Sequence, residues 1–182
     1  MARTFIHGVA LVATLSLALP ALAQAPAPAR APALPGGASS LQETYEDWTV
    51  SCVVEGTARI CRMSQQQRRQ EGNQLVLAVD LTVGKTGASG ALLMPFGLRL
   101  ADGVTPQVDE GKPAQAVAFS TCLPAGCIVP LTLDAALIKT LSKATTLKLT
   151  AKAQDSGQDV TLSVPLKGFA AGYERLKGLA GS

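Results

Sequence analysis

The residues most able to do chemistry in this chain are its four cysteines, which lie in two close pairs, Cys52 with Cys61 and Cys122 with Cys127. Four cysteines allow three disulfide connectivities. Pairing of sequence neighbours is favoured, because turn residues lie between the two members of each pair and each bridge would then close a local hairpin. Bridges across such loops would each stabilise the fold by about 2–3 kcal/mol in the chain-entropy model. We therefore predict structural disulfides at all four positions.

Two other uses of the cysteines remain open. A thiol-redox site usually has the spacing C-x-x-C at the start of a helix, whereas the spacings here are C-x₈-C and C-x₄-C. Ligation of zinc by four thiolates is chemically possible, but these spacings differ from those of zinc sites. We keep a thiol-redox enzyme as an alternative and predict no metal site.

The single histidine, His7, lies inside an N-terminal export signal. Without histidine, the rest of the chain cannot form a Ser-His-Asp or Cys-His arrangement, or a histidine-bearing zinc or iron site. Two carboxylates could still act as acid and base. The acidic residues are scattered, however, and several stand beside glycines at predicted turns. We predict no catalytic residue and no cofactor, with a carboxylate-based enzyme as part of the alternative.

One stretch of eleven residues holds four arginines, Arg59, Arg62, Arg68 and Arg69, together with three glutamines, and a fourth glutamine follows it directly. Guanidinium groups donate paired hydrogen bonds to carboxylate, phosphate or sulfate groups. These arginines are therefore the candidate binding residues. The alternative is a solvated hairpin edge that charge keeps soluble.

The N-terminus predicts a signal peptide over residues 1–23. Arg3 supplies the positive charge, residues 9–19 form an apolar core, and Ala21-Leu22-Ala23 offers a cleavage site. The apolar core is too short to cross a bilayer, which takes about 20 residues. We expect export to the periplasm, with association with the outer membrane or secretion as further destinations.

The exported part divides into two regions. Residues 24–41 are rich in proline and alanine, which predicts a flexible linker. Residues 42–182 have the length of one ordinary domain and contain no predicted transmembrane segment. The net charge of the whole chain is only +3, too small to indicate nucleic-acid binding.

Within this domain the apolar residues mostly alternate with polar ones. Segments in which apolar residues recur with period two predict strands. These segments are residues 45–54, 75–83, 117–122, 147–150 and 160–164. Many short strands separated by turns favour an antiparallel sandwich or barrel. Two stretches, 134–143 and 168–177, instead have the spacing of short amphipathic helices.

Several short motifs occur in a fixed order over residues 48–169. They are Trp48-x-Val50-x-Cys52, Cys61-x-Met63, Met94-Pro95-Phe96-Gly97-x-x-Leu100, Cys122-x₄-Cys127 and Pro165-Leu166-Lys167-Gly168-Phe169. In this set the chain resembles the invasion-associated locus B family of exported bacterial proteins. The resemblance implies a single mainly-β domain, an immunoglobulin-like antiparallel β-sandwich with one or two short helices, located in the periplasm or at the outer membrane.

The founding member of that family is linked to entry of a pathogen into red blood cells, but the family occurs widely in bacteria without such a host. It supplies no catalytic residues to transfer. We therefore expect an exported, non-catalytic interaction protein that binds an envelope or cell-surface protein or a glycan. The alternative is a periplasmic thiol-redox or carboxylate-based enzyme.

Overall fold

Two antiparallel sheets and two helices make up the fold in the computed structural model, which describes residues 33–180. The predicted signal peptide and residues 24–32 of the predicted linker lie outside the described residues. The strands are β1 (Ser40–Tyr45), β2 (Trp48–Glu55), β3 (Ala58–Arg68), β4 (Leu75–Val83), β5 (Gly87–Met94), β6 (Thr105–Val108), β7 (Thr121–Leu123), β8 (Gly126–Asp134), β9 (Thr146–Lys152) and β10 (Asp159–Pro165). The helices are α1 (Ala135–Leu141) and α2 (Phe169–Ala180). The mainly-β, immunoglobulin-like sandwich with two short helices is confirmed.

The larger sheet has seven strands in the order β1-β2-β3-β4-β5-β8-β7, and the smaller has three in the order β10-β9-β6. Alternation decides which side of the large sheet is buried. Trp48, Val50 and Cys52 of β2 are buried, and so are Leu77 and Leu81 of β4. Their neighbours along each strand point to the opposite face, because successive side chains of a strand alternate. The large sheet therefore has one apolar face, as its period-two pattern predicts.

Helix α2 covers the part of this face that β1 to β4 provide. Its buried residues include Phe169, Tyr173 and Leu176. The Phe169 ring meets the Trp48 ring edge-on, with ring centroids 5.2 Å apart and planes at 76°. The Trp48 indole also donates a hydrogen bond of 3.2 Å to the carbonyl of Pro165, which satisfies its buried N–H group. The predicted helix over 168–177 is thus present and packs on the sheet.

The three-stranded sheet and α1 lie over the remainder of the apolar face. Leu149 and Ala151 of β9 are buried, as are Ile138 and Leu141 of α1. Helix α1 follows β8 directly, and the Asp134 side chain accepts a hydrogen bond of 2.7 Å from the backbone N–H of Leu137. This is an N-cap, and it explains why the helix begins where it does.

The folded domain begins before residue 42, which is the first residue of the domain predicted from the sequence. Leu34 is only 2% exposed and belongs to the core, and β1 starts at Ser40. The carbonyl of Ser39 also accepts a hydrogen bond of 2.9 Å from the backbone N–H of Val54. This segment pairs with the edge of β2, because the backbone N–H and C=O groups at that edge would otherwise lack hydrogen-bond partners. A proline- and alanine-rich composition did not indicate that pairing.

Two predicted strands also differ from the structure. The segment 45–54 is divided by a turn, where Glu46 has a φ of 53° and separates β1 from β2. The segment 117–122 forms a strand only from Thr121, and Val117 makes a single isolated bridge with Val104. In both cases the pattern of apolar residues continues across a place where the backbone changes direction.

The docking of α2 depends on a glycine at its entry. Gly168 has a φ of +87°, and a Cβ there would overlap the carbonyl oxygen of Tyr45. We predict that Gly168→Ala lowers the free energy of unfolding by about 1–3 kcal/mol, because both the backbone conformation and the close approach exclude a side chain. Urea unfolding of the disulfide-bonded protein measures it. Gly178→Ala, in an open position of the same helix, is the matched control. It should raise stability by about 0.5–1 kcal/mol; equal effects of the two substitutions would contradict this account.

A bidentate ion pair also joins α2 to β1. Arg175 donates to both carboxylate oxygens of Glu43 at 2.7 and 2.8 Å, and the Tyr45 hydroxyl donates to the same carboxylate at 2.8 Å. The hydrogen bonds from Arg175 are the main cause that lowers the pKa of Glu43 below its ordinary value. A lowered pKa in the folded state means that the pair stabilises the fold above the ordinary pKa of a glutamate and is lost as the pH falls through the folded-state pKa.

We predict that Glu43→Gln lowers the free energy of unfolding at pH 7 by about 0.5–1 kcal/mol, a small value because both side chains are partly exposed. The difference between variant and native protein should shrink as the pH falls from 5 to 3. Urea unfolding at pH 7, 5 and 3 measures it. A difference that stays constant over this range would show that the ion pair does not contribute.

Candidate functional site

The structure pairs the four cysteines as sequence neighbours, Cys52 with Cys61 and Cys122 with Cys127. Each pair stands directly opposite across a hairpin, the first between β2 and β3 and the second between β7 and β8. The Cα atoms are 4.1 and 3.9 Å apart. The first bridge is buried in the core, whereas Cys122 is exposed at the edge of the sheet. Since all four thiols are bonded, a thiolate nucleophile is not available in this form of the chain.

The four candidate arginines do not converge on one site. Arg62 and Arg68 lie on the outer face of β3. Arg59 lies on the opposite face, together with Cys61, because side chains alternate along the strand. From Arg59 to Arg68 the strand extends by roughly 30 Å. Arg69 follows a register shift at the end of the strand.

The two outward arginines contact residues of the same sheet. Arg62 lies 3.8 Å from the carboxylate of Asp80, and Arg68 donates to the carbonyl of Asn73 at 3.1 Å and to the side chain of Gln66 at 3.2 Å. Burial raises the pKa of Asp80, and the nearby Arg62 opposes that shift. These contacts are typical of a solvated strand surface.

An apolar cleft with a volume of about 820 Å³ lies between the two sheets. We call it the sheet–sheet cleft. The large sheet contributes Leu92, Val129 and Leu131 to its walls, and the small sheet contributes Leu147 and Leu149. Leu137 and Leu141 of α1 close one side. Most of its lining is therefore aliphatic.

Strand β8 pairs with β5 along nearly its whole length, but its other side has a neighbouring strand for only a short part of that length. The short strand β7 pairs only with Gly126–Ile128, so residues 129–134 form an open edge. Pro130 lies in this edge, where a residue without a backbone N–H costs no hydrogen bond. Val129 and Leu133 of this part of β8 are buried in the core, whereas Leu131 is half-buried and lines the sheet–sheet cleft together with Leu147 of the small sheet.

Asp109 fixes one end of the sheet–sheet cleft. Its side-chain Oδ1 accepts hydrogen bonds from the backbone N–H groups of Thr145 and Thr146, at 3.0 and 2.8 Å. Its own N–H donates to the carbonyl of Thr146 at 2.9 Å. The carboxylate thus holds the end of β6 against the start of β9 and is occupied by the backbone.

A second concavity, of about 590 Å³, lies on the other side of α1, between α2 and the turn that joins β4 to β5. We call it the lysine cleft, because Lys85, Lys139, Lys143 and Lys177 line it. Glu174 is the single acidic residue of its lining and pairs with Lys177 at 2.9 Å. Lys143 lines both clefts, since it follows the end of α1.

A third, smaller cleft holds two acids, Asp102 and Asp159. Each is paired with a cation, Asp102 with Arg99 at 3.7 Å and Asp159 with Lys152 at 2.8 Å. Among the described residues there is also no group of three or more side chains that could hold a metal ion. The sheet–sheet cleft and the lysine cleft are thus the stronger candidates for a functional site.

Comparison with known proteins places this geometry in a family. The family model described as "Invasion associated locus B (IalB) protein" matches residues 48–177. The chain belongs to the IalB family. An "Invasion protein B homolog" of Brucella abortus is 42% identical over 150 residues, which are 82% of this chain and 86% of that protein. "Invasion protein B" of Bartonella bacilliformis is 34% identical over 149 residues, 80% of each chain.

A solved IalB-family structure is similar as well. The crystal structure of invasion associated protein B from Bartonella henselae matches with a TM-score of 0.72 and 33% identity, over 78% of this chain and 97% of that one. Within the described residues of our IalB-family chain, no helix has the length and apolar character needed to cross a membrane.

Sequence reasoning missed both clefts of this IalB-family protein. The lysines of α1 were visible at the end of a predicted helix, where they are also explained by the helix dipole. Lys85 and Lys112 are far from them in sequence, and only the fold brings them to the same region. The aliphatic residues of β9 were predicted only as part of a strand, β8 was not predicted as a strand, and nothing in the sequence indicated a cleft beside them.

Asp109 allows a test of the cleft's geometry in this IalB-family protein. It has a φ of 47°, a conformation that asparagine tolerates better than most residues, and its side chain accepts two backbone hydrogen bonds. We predict that Asp109→Ala lowers the free energy of unfolding by about 1 kcal/mol, because two backbone donors, one exposed and one half-buried, lose their acceptor. Asp109→Asn should retain most of the stability through its amide oxygen. Thermal unfolding of both variants measures these stabilities. Equal losses of stability in the two variants would show that the side-chain oxygen of Asp109 does not stabilise the fold.

Proposed function

We propose that this chain is an exported, non-catalytic binding protein of the bacterial cell envelope, and that the sheet–sheet cleft is its binding site for an apolar ligand. The observation that carries the proposal is the aliphatic lining of a cleft of about 820 Å³. Small-molecule sites have volumes of about 300–1,000 Å³, are mostly apolar, and contain few polar groups. The cleft has all three properties.

The chemistry of the lining favours an apolar chain over a glycan. Sugars are bound by many hydrogen bonds and by stacking on aromatic rings. Among the described residues, no aromatic side chain lines the sheet–sheet cleft, and its polar side chains, such as Lys112, Thr140 and Lys143, stand among aliphatic ones. Flexible hydrocarbon chains fit such a lining because they gain from burial without needing hydrogen-bond partners.

Binding, rather than catalysis, is the role that the polar groups of the cleft support. Its one carboxylate, that of Asp109, is occupied by two backbone N–H groups. A nucleophile needs an adjacent general base, and the lining supplies neither histidine nor a free carboxylate. The lysines at the opening are suited to orienting a ligand.

Export is supported by the signal-like residues 1–23 and by the two disulfides, which persist in oxidising compartments. The periplasm is the proposed location, with the outer membrane or release from the cell beyond it. The names of the relatives refer to invasion. A ligand-binding role in the envelope is compatible with such names and does not require a host.

A neutral apolar dye, N-phenyl-1-naphthylamine, tests the proposal through its fluorescence increase on binding. Leu131 is a half-buried wall residue, so Leu131→Trp should fill the cleft and weaken dye binding by about tenfold or more. The matched control is Val53→Trp, which adds the same ring at a position 39% exposed on the outer face of the sheet. This control should bind the dye as the native protein does.

Thermal unfolding of each variant verifies that it is folded. Absence of dye binding by the native protein would overturn the proposal. So would equal binding by a folded Leu131→Trp variant, because the dye would then occupy another surface.

A further inference from the structure

The eight lysines of the chain, all of which lie in the described residues, fall into two groups. Four form ion pairs, namely Lys148 with Glu110, Lys152 with Asp159, Lys167 with Glu46 and Lys177 with Glu174. The other four form no ion pair with a described carboxylate, and they are Lys85, Lys112, Lys139 and Lys143. Each of these four lines the sheet–sheet cleft or the lysine cleft.

Lys143 lines both clefts, so the four unpaired lysines lie along two adjoining clefts on either side of α1. Lys112 and Lys143 stand at the opening of the sheet–sheet cleft, and Lys85 and Lys139 extend the positive charge into the lysine cleft on the other side of α1. The acids nearby are already engaged, Asp109 by backbone N–H groups and Glu174 by Lys177. Clustered cations without counter-charges repel one another and attract an anion.

From this arrangement we infer that the ligand is a phospholipid with a net negative charge, with its acyl chain in the sheet–sheet cleft and its phosphate among the lysines of the lysine cleft. This inference rests on the proposed function, because it names the ligand class of the same site. An apolar cleft bordered by unpaired cations is complementary to a molecule that has a hydrocarbon chain and an anionic headgroup.

The size of the charged region favours a phosphate over a carboxylate. The lysine cleft has a volume of about 590 Å³, far more than a carboxylate needs. Three of its lysines, Lys85, Lys139 and Lys143, have no carboxylate partner among the described residues. A phosphate group offers several oxygens to several ammonium groups at once, and lysine binds it as a point charge.

The experiment measures displacement of N-phenyl-1-naphthylamine from the full mature, disulfide-bonded chain at low ionic strength. The competitors are lysophosphatidylglycerol, lysophosphatidylcholine and a fatty acid, with matched acyl chains and below their critical micelle concentrations. We expect lysophosphatidylglycerol to displace the dye at a concentration about tenfold lower than the other two. Added salt should reduce this preference, because it screens the lysines.

Two double variants locate the headgroup. Lys85→Gln with Lys139→Gln, at two lysines that line the lysine cleft and not the sheet–sheet cleft, should abolish the preference for lysophosphatidylglycerol and leave dye binding unchanged. Lys152→Gln with Lys167→Gln removes the same number of charges from lysines outside both clefts and should keep the preference. Loss of the preference in both double variants would reduce it to an effect of net charge and overturn the inference.

The remaining outcomes separate the two proposals. If the dye binds and the zwitterionic lysolipid displaces it as well as the anionic one, the headgroup inference fails while the proposed function stands. If the fatty acid is equal to lysophosphatidylglycerol, the phosphate assignment is wrong. If the native chain does not bind the dye at all, the proposed function itself fails.

Discussion

The structure depends on the need to cover one apolar face that is wider than any single element of this chain. Seven strands spaced by about 4.8 Å form a sheet roughly 30 Å across. Helix α2 has twelve residues and a width of about 10 Å, so it covers only the part of that face provided by β1 to β4. The three-stranded sheet and α1 must cover the rest, and the sandwich follows from this division.

The candidate site lies where the second cover is incomplete. Strand β8 continues past its short partner β7. Its Leu131 and the small-sheet Leu147 are only half-buried where they line the cleft, although Val129 and Leu133 are buried. Apolar surface left partly open in this way is costly unless something occupies it. The unpaired lysines beside the cleft favour an occupant that has an anionic group in addition to an apolar part. Hydrophobic burial and electrostatics therefore point to the same kind of occupant, an amphiphile.

Much of the fold could be predicted from the sequence, because period-two alternation in segments such as Leu75–Val83 and four-residue spacing in α1 are local properties. The site could not. The clustering of the arginines in sequence suggested a patch, yet alternation along β3 places Arg59 and Arg62 on opposite sides of the strand. Conversely, the unpaired lysines are spread from residue 85 to residue 143. The pairing of β5 with β8 brings Lys85 near α1, and Lys112 follows β6 of the small sheet.

The order of the strands is equally non-local. Each hairpin from β1 to β5 follows from sequence adjacency, but β8 joins β5 only after β6 has gone to the other sheet. The alternation of apolar and polar residues predicts which side chains share a face of a strand. It does not predict which strands are neighbours in the sheet. The gap at the edge of β8 therefore had no signature in the sequence.

The most direct test of a cleft between the sheets is methyl NMR of the mature protein titrated with lysophosphatidylglycerol below its critical micelle concentration. We predict that the methyl resonances of Leu92, Val129 and Leu147, which line the sheet–sheet cleft, shift together and saturably. The methyl groups of Val53 and Ile60, on the outer face of the sheet, should stay unchanged. Shifts confined to the outer face would contradict the account, because the ligand would then bind where the structure offers no cleft.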